Sequence, residues 1–214
     1  MKRILQQNLA FIVPYLLFLL VAGIFLIIHS KAEAHLIINQ CSFEFCDYFF
    51  YYATYIGDGI TAVIVVFLLC FIKYRYAFLV AVSNIISSLI TQTLKRTLFA
   101  DVDRPVKFFE GGAHLKLVPW AENYIYNSFP SGHTTVAFTT FFCFALIIEK
   151  KSLKFLMFLV ALTIGFSRVY LSQHFLNDVY AGSIIGVLVS LFVYSLMEKT
   201  GNVNWLEKSI LRHK

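Results

Sequence analysis

Charge is what this chain has least of. Lys, Arg, Asp and Glu make up only 14% of its 214 residues, against about 25% in an ordinary soluble domain. A globule with so little polar surface cannot coat itself, which excludes a freely soluble protein. Cysteine is scarce too, with four residues and no metal-type cluster. Cys70 and Cys143 lie in apolar runs and read as small buried hydrophobes. Cys41 and Cys46 share a polar-aromatic stretch, where a bridge is left open. There is no internal repeat and no low-complexity stretch. The compact length, the absence of long extensions and the lack of any Asn-x-Ser/Thr acceptor point to a bacterial inner membrane. Acidic residues are outnumbered, 12 to 18, for a net charge of +6. In a membrane protein such an excess reports cytoplasmic loops, so no nucleic-acid partner is expected.

What the chain has in abundance is hydrophobic residues, 59%, with 17% aromatics. The pattern predicts an all-α, polytopic membrane protein of one domain, residues 1–214, with about six spans in the bilayer. The expected spans are 9–28, 60–72, 77–94, 134–148, 155–166 and 179–196. The first follows Lys2 and Arg3, and Ala32-Glu33-Ala34 after it faintly resembles a signal-peptidase site. The run exceeds the 7–15 residues of a signal core, so an uncleaved anchor is expected. Residues 41–56, CSFEFCDYFFYYATYI, read as an additional interfacial helix, with Gly57-Asp58-Gly59 as a turn. Ser83, Asn84, Ser87, Ser88, Thr91 and Gln92 soften the third span and read as glue between helices. The polar segment 95–130 is too long for an idle connection.

An even number of spans puts both termini on one side. That side collects Lys2, Arg3, Lys73, Arg75, Lys150, Lys151, Lys154, Lys199, Lys208, Arg212 and Lys214, eleven of the eighteen Lys and Arg, in short segments. It is therefore expected to be the cytoplasm. The other side holds Lys31, Lys95, Arg96, Arg104, Lys107, Lys116 and Arg168, against the trend, and an anionic ligand would account for them. Arg96, Lys107, Lys116 and His114 read as solvated loop charges.

The same side gathers the chain's chemistry. Pro130-Ser131-Gly132-His133 opens the fourth span, Ser167-Arg168 closes the fifth, and His174 and Asp178 lead into the sixth. His133 and His174 are about 40 residues apart, the length of a hairpin of two spanning helices, so both end on one face. Lys95, Arg104 and Arg168 can hold a phosphate, Arg as a fork and Lys as a point charge. A helix beginning near Ser131-Gly132 aims free N–H groups at an anion, with Gly132 allowing close approach and Pro130 suited to a helix start. If the sixth span begins early, His174 and Asp178 share a helical face. A carboxylate there fixes the imidazole tautomer and leaves the other nitrogen to attack phosphorus, with His133 as general acid. Taken singly, each histidine reads as an interfacial side chain. A metal held by His133, His174 and Asp178 is disfavoured by the surrounding cations, so neither metal nor cofactor is expected.

These residues resemble the type 2 phosphatidic acid phosphatase superfamily, related to bacterial acid phosphatases and vanadium haloperoxidases. Its motifs are K-x6-RP, PSGH and SR-x5-H-x3-D. Pro130–His133 supplies the second, and SRVYLSQHFLND, Ser167–Asp178, matches the third at every fixed position. In the first, eight residues separate Lys95 from Arg104-Pro105, two more than the family spacing, and Arg96 is a nearer substitute. The motif-bearing core runs over residues 77–196. The resemblance implies a metal-independent phosphatase in which His174 is the nucleophile, Asp178 orients it and His133 is the acid/base. Lys95, Arg104, Ser131, Gly132 and Arg168 would bind phosphate. It also implies a lipid substrate at the non-cytoplasmic surface: phosphatidic acid, phosphatidylglycerol phosphate, undecaprenyl diphosphate or a lipid A phosphate. A phosphotransferase passing phosphate from the same histidine to another lipid is the alternative. A transporter or structural membrane protein is more remote, since a transporter usually keeps its polar groups near the midplane.

Overall fold

A computed structural model describes residues 2–41, 43–201 and 203–211. Arg212 and Lys214 of the basic tail, and Ser42 of the aromatic segment, lie outside the described residues. The regular elements among the described residues are all helices, without a strand.

A short α1 (Lys2–Gln7) leads into α2 (Leu9–Ile28). The junction is fixed by Asn8, which donates to the Ile4 carbonyl (2.7 Å) and accepts from Lys154 Nζ (2.6 Å). Next comes α3 (Lys31–Gln40), a helix the sequence reading did not anticipate. Its signal was present: Ser30 and Glu33 form a reciprocal capping box, at 3.2 and 2.8 Å. The stretch that resembled a cleavage site is thus the first turn of a capped helix. The aromatic segment becomes α4 (Glu44–Tyr55), which bends by 55° into α5 (Gly59–Ile72). Asp58 caps α5, accepting from the Ile60 N–H at 3.1 Å. The remaining helices are α6 (Tyr74–Thr97), a one-turn α7 (Pro105–Phe108), α8 (Gly132–Ile147), α9 (Lys151–Tyr170) and α10 (Leu176–Lys199).

Four helices, α2, α6, α9 and α10, are long and apolar enough to cross a membrane, and the bent pair α4–α5 makes up to five. α8 is apolar but only 16 residues long. The six expected runs are thus all helical, though α5 and α8 fall short of the roughly 20 residues that a straight span needs.

α8 is at the centre. It packs against α6, α9 and α10, and a helix buried around most of its circumference belongs in such a place. On one side Phe138 and Phe142 join Phe11 of α2 and Phe158 of α9, with Phe11 and Phe142 ring centroids 4.8 Å apart. On the other, Asn84 bonds Thr140 (3.0 Å), Ser87 receives Thr139 (3.0 Å), and Thr91 donates to Thr135 (3.2 Å). Of the polar residues of α6, Asn84, Ser87 and Thr91 act as glue across the interface, whereas the buried Ser83 hydroxyl has no hydrogen-bond partner among the described residues and Gln92 is exposed. α10 comes closest. A Cβ on Gly186 would lie 2.8 Å from the Thr135 carbonyl and one on Gly182 only 2.6 Å from the Ser131 carbonyl. α2 and α5 turn large apolar side chains outward, among them Leu16, Leu20, Ile27, Ile60 and Phe67.

The two ends of the bundle differ. Lys154 reaches Gln7 and Asn8, while Lys73 and Arg75 pair with Glu207, so the α1–α2 junction, the α5–α6 corner, the start of α9 and the chain after α10 share one end. The opposite end holds α3, the segment between α6 and α8, and the α9–α10 connection.

Candidate active site

The polar knot before α8 is built by its backbone. Ser131 is the N-cap of α8: its Oγ accepts from the Thr134 hydroxyl at 2.9 Å and, more weakly, from the Thr134 N–H at 3.4 Å. Its own N–H donates to the Asp178 carbonyl at 3.0 Å. Together with the close approach of Gly182 to the Ser131 carbonyl, this clamps the second motif onto the third. The Ser131 N–H is therefore occupied, and the free donors of the first turn are those of Gly132 and His133. A Cβ on Gly132 would meet nothing within 4 Å, so the room it leaves faces open space in front of the helix end.

His174 and Asp178 meet, but not as neighbours on one helical face. α10 begins only at Leu176, so His174 stands in the connection before it. There its N–H donates to the Arg168 carbonyl at 3.1 Å. Asp178, in the first turn, turns back, and its Oδ2 lies 3.3 Å from His174 Nδ1 while accepting the Phe175 N–H at 3.0 Å. A helix N-terminus leaves N–H groups free, and a carboxylate three residues in satisfies one of them. The same oxygen takes the Ser128 hydroxyl. Ser128 was missed in the sequence because it belongs to no motif and touches the site only through the chain reversal before Pro130. Both His174 and Asp178 are sealed, at 1% and 0% exposure.

Three cations surround this pair. Burial holds the His174 imidazole well below its ordinary basicity, and Arg104, Arg168, Lys95 and His133 push it further down. Lys95 is on the buried side of α6 while Arg96 is exposed, so Lys95 is the first-motif cation that faces inward. Arg104 is pinned by carbonyls: its Nε donates to Tyr126 (2.8 Å), Nη1 to Gln173 (3.2 Å) and Nη2 to Asn127 (3.4 Å). Five N–H groups minus three leaves one on each terminal nitrogen, still a fork. Its charge lies 5.0 Å from the Tyr124 ring centroid. Burial lowers its basicity somewhat, and Asp178 and Tyr124 oppose that. Arg168, at the end of α9, donates to Thr54 of α4, a partner with no signal in the sequence.

A second buried group sits behind. His35 of α3 bonds Ser172 at 3.1 Å, and Asn39 bonds the same hydroxyl at 3.2 Å and the Lys116 carbonyl at 2.8 Å. Lys31 rests over the Phe175 ring, 3.9 Å from its centroid. α3 thereby pins the connection that carries His174. Two large concavities lie elsewhere, on the flank of the bundle. One of about 630 Å³ lies between α4 and α9, and one of about 750 Å³ between α2, α4 and α9. Both are lined almost wholly by apolar side chains, with Phe49 shared. All four cysteines are free.

The sequence profile of the PAP2 superfamily matches residues 75–202. Among curated proteins, the bacitracin transport permease protein BcrC of Bacillus licheniformis is 40% identical over 73 residues, covering 34% of this chain and 35% of that protein. A lipid A 1-phosphatase of Rhizobium johnstonii is 30% identical over 117 residues, 55% of this chain and 46% of that protein. The matches thus span about half of these relatives or less. Among solved structures, that of Aquifex aeolicus LpxE superposes with a TM-score of 0.69 at 25% identity, covering 76% of this chain and 93% of that one.

Proposed function

Because the chain belongs to the PAP2 superfamily, we propose that it is a metal-independent phosphatase acting on a lipid phosphate monoester or diphosphate through a phosphohistidine. The observation that carries this is the sealed His174–Asp178 pair ringed by Lys95, Arg104 and Arg168 at the mouth of α8. Asp178 Oδ2 holds the proton on His174 Nδ1, so Nε2 presents its lone pair. Nε2 attacks phosphorus, and the bond to the leaving oxygen breaks as His133 protonates that oxygen. Water then attacks the phosphorus, its proton passes to His133, and the P–N bond breaks to return the lone pair to His174. Arg104, Arg168, Lys95 and the N–H groups at the start of α8, Ser131 and Gly132 shaping that turn, bind the phosphoryl oxygens and stabilise the charge that builds on them. Among the described residues no group of three or more His, Cys, Asp or Glu gathers to hold a metal.

The substrate is a membrane lipid phosphate, with phosphatidylglycerol phosphate, phosphatidic acid, undecaprenyl diphosphate and lipid A phosphate as the candidates. The whole chain, 1–214, works as one domain in a bacterial inner membrane, with both termini cytoplasmic and the site on the outer face. The apolar flank beside α4 lets the tails stay in lipid while the headgroup reaches the cations. Collection of the charged groups at one end of the bundle, rather than midway, speaks against transport. A phosphotransferase would use the same residues with an acceptor hydroxyl in place of water.

The test is phosphate release by purified protein in detergent, with chelator, over a panel of lipid phosphates and diphosphates, beside His174→Ala. The expected result is release that persists in chelator and disappears in the variant. Release that needed metal, or survived His174→Ala, would sink the mechanism.

A further inference from the structure

Arg168 is held by a residue outside every motif. Its Nη1 donates to Thr54 Oγ1, 114 positions earlier in the chain. Its Nε has no hydrogen-bond partner among the described residues, although the side chain is only 3% exposed. A buried N–H of a charged group is costly to leave unmet, and an arriving anion would meet it. A guanidinium is planar and rigid, so fixing one terminal nitrogen fixes the direction of the whole fork.

Thr54 is itself placed by the α4–α5 corner. The corner lies so close to the site that a Cβ on Gly57 would come 2.5 Å from Ile164 Cγ2 and 3.1 Å from the His133 carbonyl. Only glycine permits that approach. The Gly57 N–H returns to the Thr54 carbonyl at 3.0 Å, tying the threonine to the turn. Thr54 and Gly57 both precede the stretch 75–202 matched by the family profile. The corner is thus an extra wall of the site, contributed by a part of the chain that the motifs do not include.

We propose that Thr54 is a positioning residue for phosphate binding: its hydroxyl oxygen takes one N–H of Arg168 and aims the remaining edge of the guanidinium at the anion. This rests on the reading of the site as one that binds phosphate. Thr54 does not touch the substrate; it spares the arginine the reorientation that binding would otherwise require.

The test uses the full chain in detergent, with two readouts: the rise in melting temperature with orthophosphate, which reports anion affinity, and KM and kcat on a lipid phosphate. Thr54→Val keeps the shape and removes the acceptor, while Thr54→Ser keeps the acceptor. The expected result is that Thr54→Val weakens orthophosphate binding and raises KM by about tenfold, the weight of one hydrogen bond to a charged group. kcat falls less, and Thr54→Ser restores both. If the valine variant does not fold, Thr54→Ala removes the acceptor without placing a methyl group against the guanidinium. A variant lacking the acceptor that keeps wild-type phosphate affinity and KM, whether or not its melting temperature drops, overturns the proposal and leaves the phosphatase reading intact. If the wild type releases no phosphate from any lipid, the phosphatase reading fails and the orthophosphate titration alone decides Thr54. A wild type that is also not stabilised by orthophosphate overturns both.

Discussion

His174 and His35 are each buried at 1% exposure, and each loses basicity as a result. Burial, then Lys31, brings His35 down to about 4; burial and the surrounding cations hold His174 well below its usual value. Both are neutral in the folded chain at pH 7, which suits a nucleophile that must offer a lone pair. An unfolded chain protonates the same rings near pH 6.5. Below that pH the unfolded state binds more protons, so stability is fully present above about 6.5 and drains away as pH falls. For His35 the loss runs from about 6.5 down to about 4, at about 1.4 kcal/mol per pH unit. Melting temperature in detergent should therefore drop between pH 7 and pH 5, and drop less in His35→Gln. An equal drop in the variant would show that His35 titrates as if exposed. His174, His133, Asp178 and the three cations were legible because their spacings carry a chemistry. Ser128, Thr54 and His35 were not, because each reaches the site through a contact that only the fold makes: a chain reversal, a bent helix pair and a helix whose capping signature went unread beside a faint likeness to a cleavage site.

At the scale of helices, the seam between α8 and α10 sets the site. Ser131 and Asp178 belong to different motifs, and the seam brings their backbones into a hydrogen bond of 3.0 Å. Gly182 makes this possible, since a methyl there would fall 2.6 Å from the Ser131 carbonyl and 3.1 Å from Thr135 Oγ1. Gly182→Ala must push the helices apart at the N-cap. The expected cost is about 1–3 kcal/mol of stability, read as a lower melting temperature, together with a loss of activity larger than a peripheral substitution of similar cost produces. Full activity in Gly182→Ala would show that the clamp is dispensable. The long helices were plain in the sequence, where apolar runs matched α2 to the residue and α5, α6, α8, α9 and α10 to within a few positions, while α1, α3 and α7 were not anticipated. Their tilts and the seam were not, because small residues that bring helices together look the same in a sequence as small residues that do nothing.

For the molecule as a whole, the question is which end faces out. Cys41 offers a natural probe. It is exposed, follows α3, and lies at the end of the bundle that holds His174. A membrane-impermeant thiol reagent added to intact cells should label the wild type and not Cys41→Ser; labelling only after the cells are broken would invert the proposed orientation. The central helix adds a constraint of a different sort. At 16 residues, α8 is about 24 Å long, some 6 Å less than a typical hydrocarbon core. If its Ile147 end lies level with the basic ends of its neighbours, its other end stops short of the opposite headgroup plane. The cations and histidines then line the floor of a shallow well. On the proposed lipid-phosphatase reading, a headgroup would have to descend into that well, or the leaflet dip to meet it, before any bond changed. On that reading membrane thickness becomes a term in the kinetics, set by the length of one helix that is itself mostly covered by its neighbours.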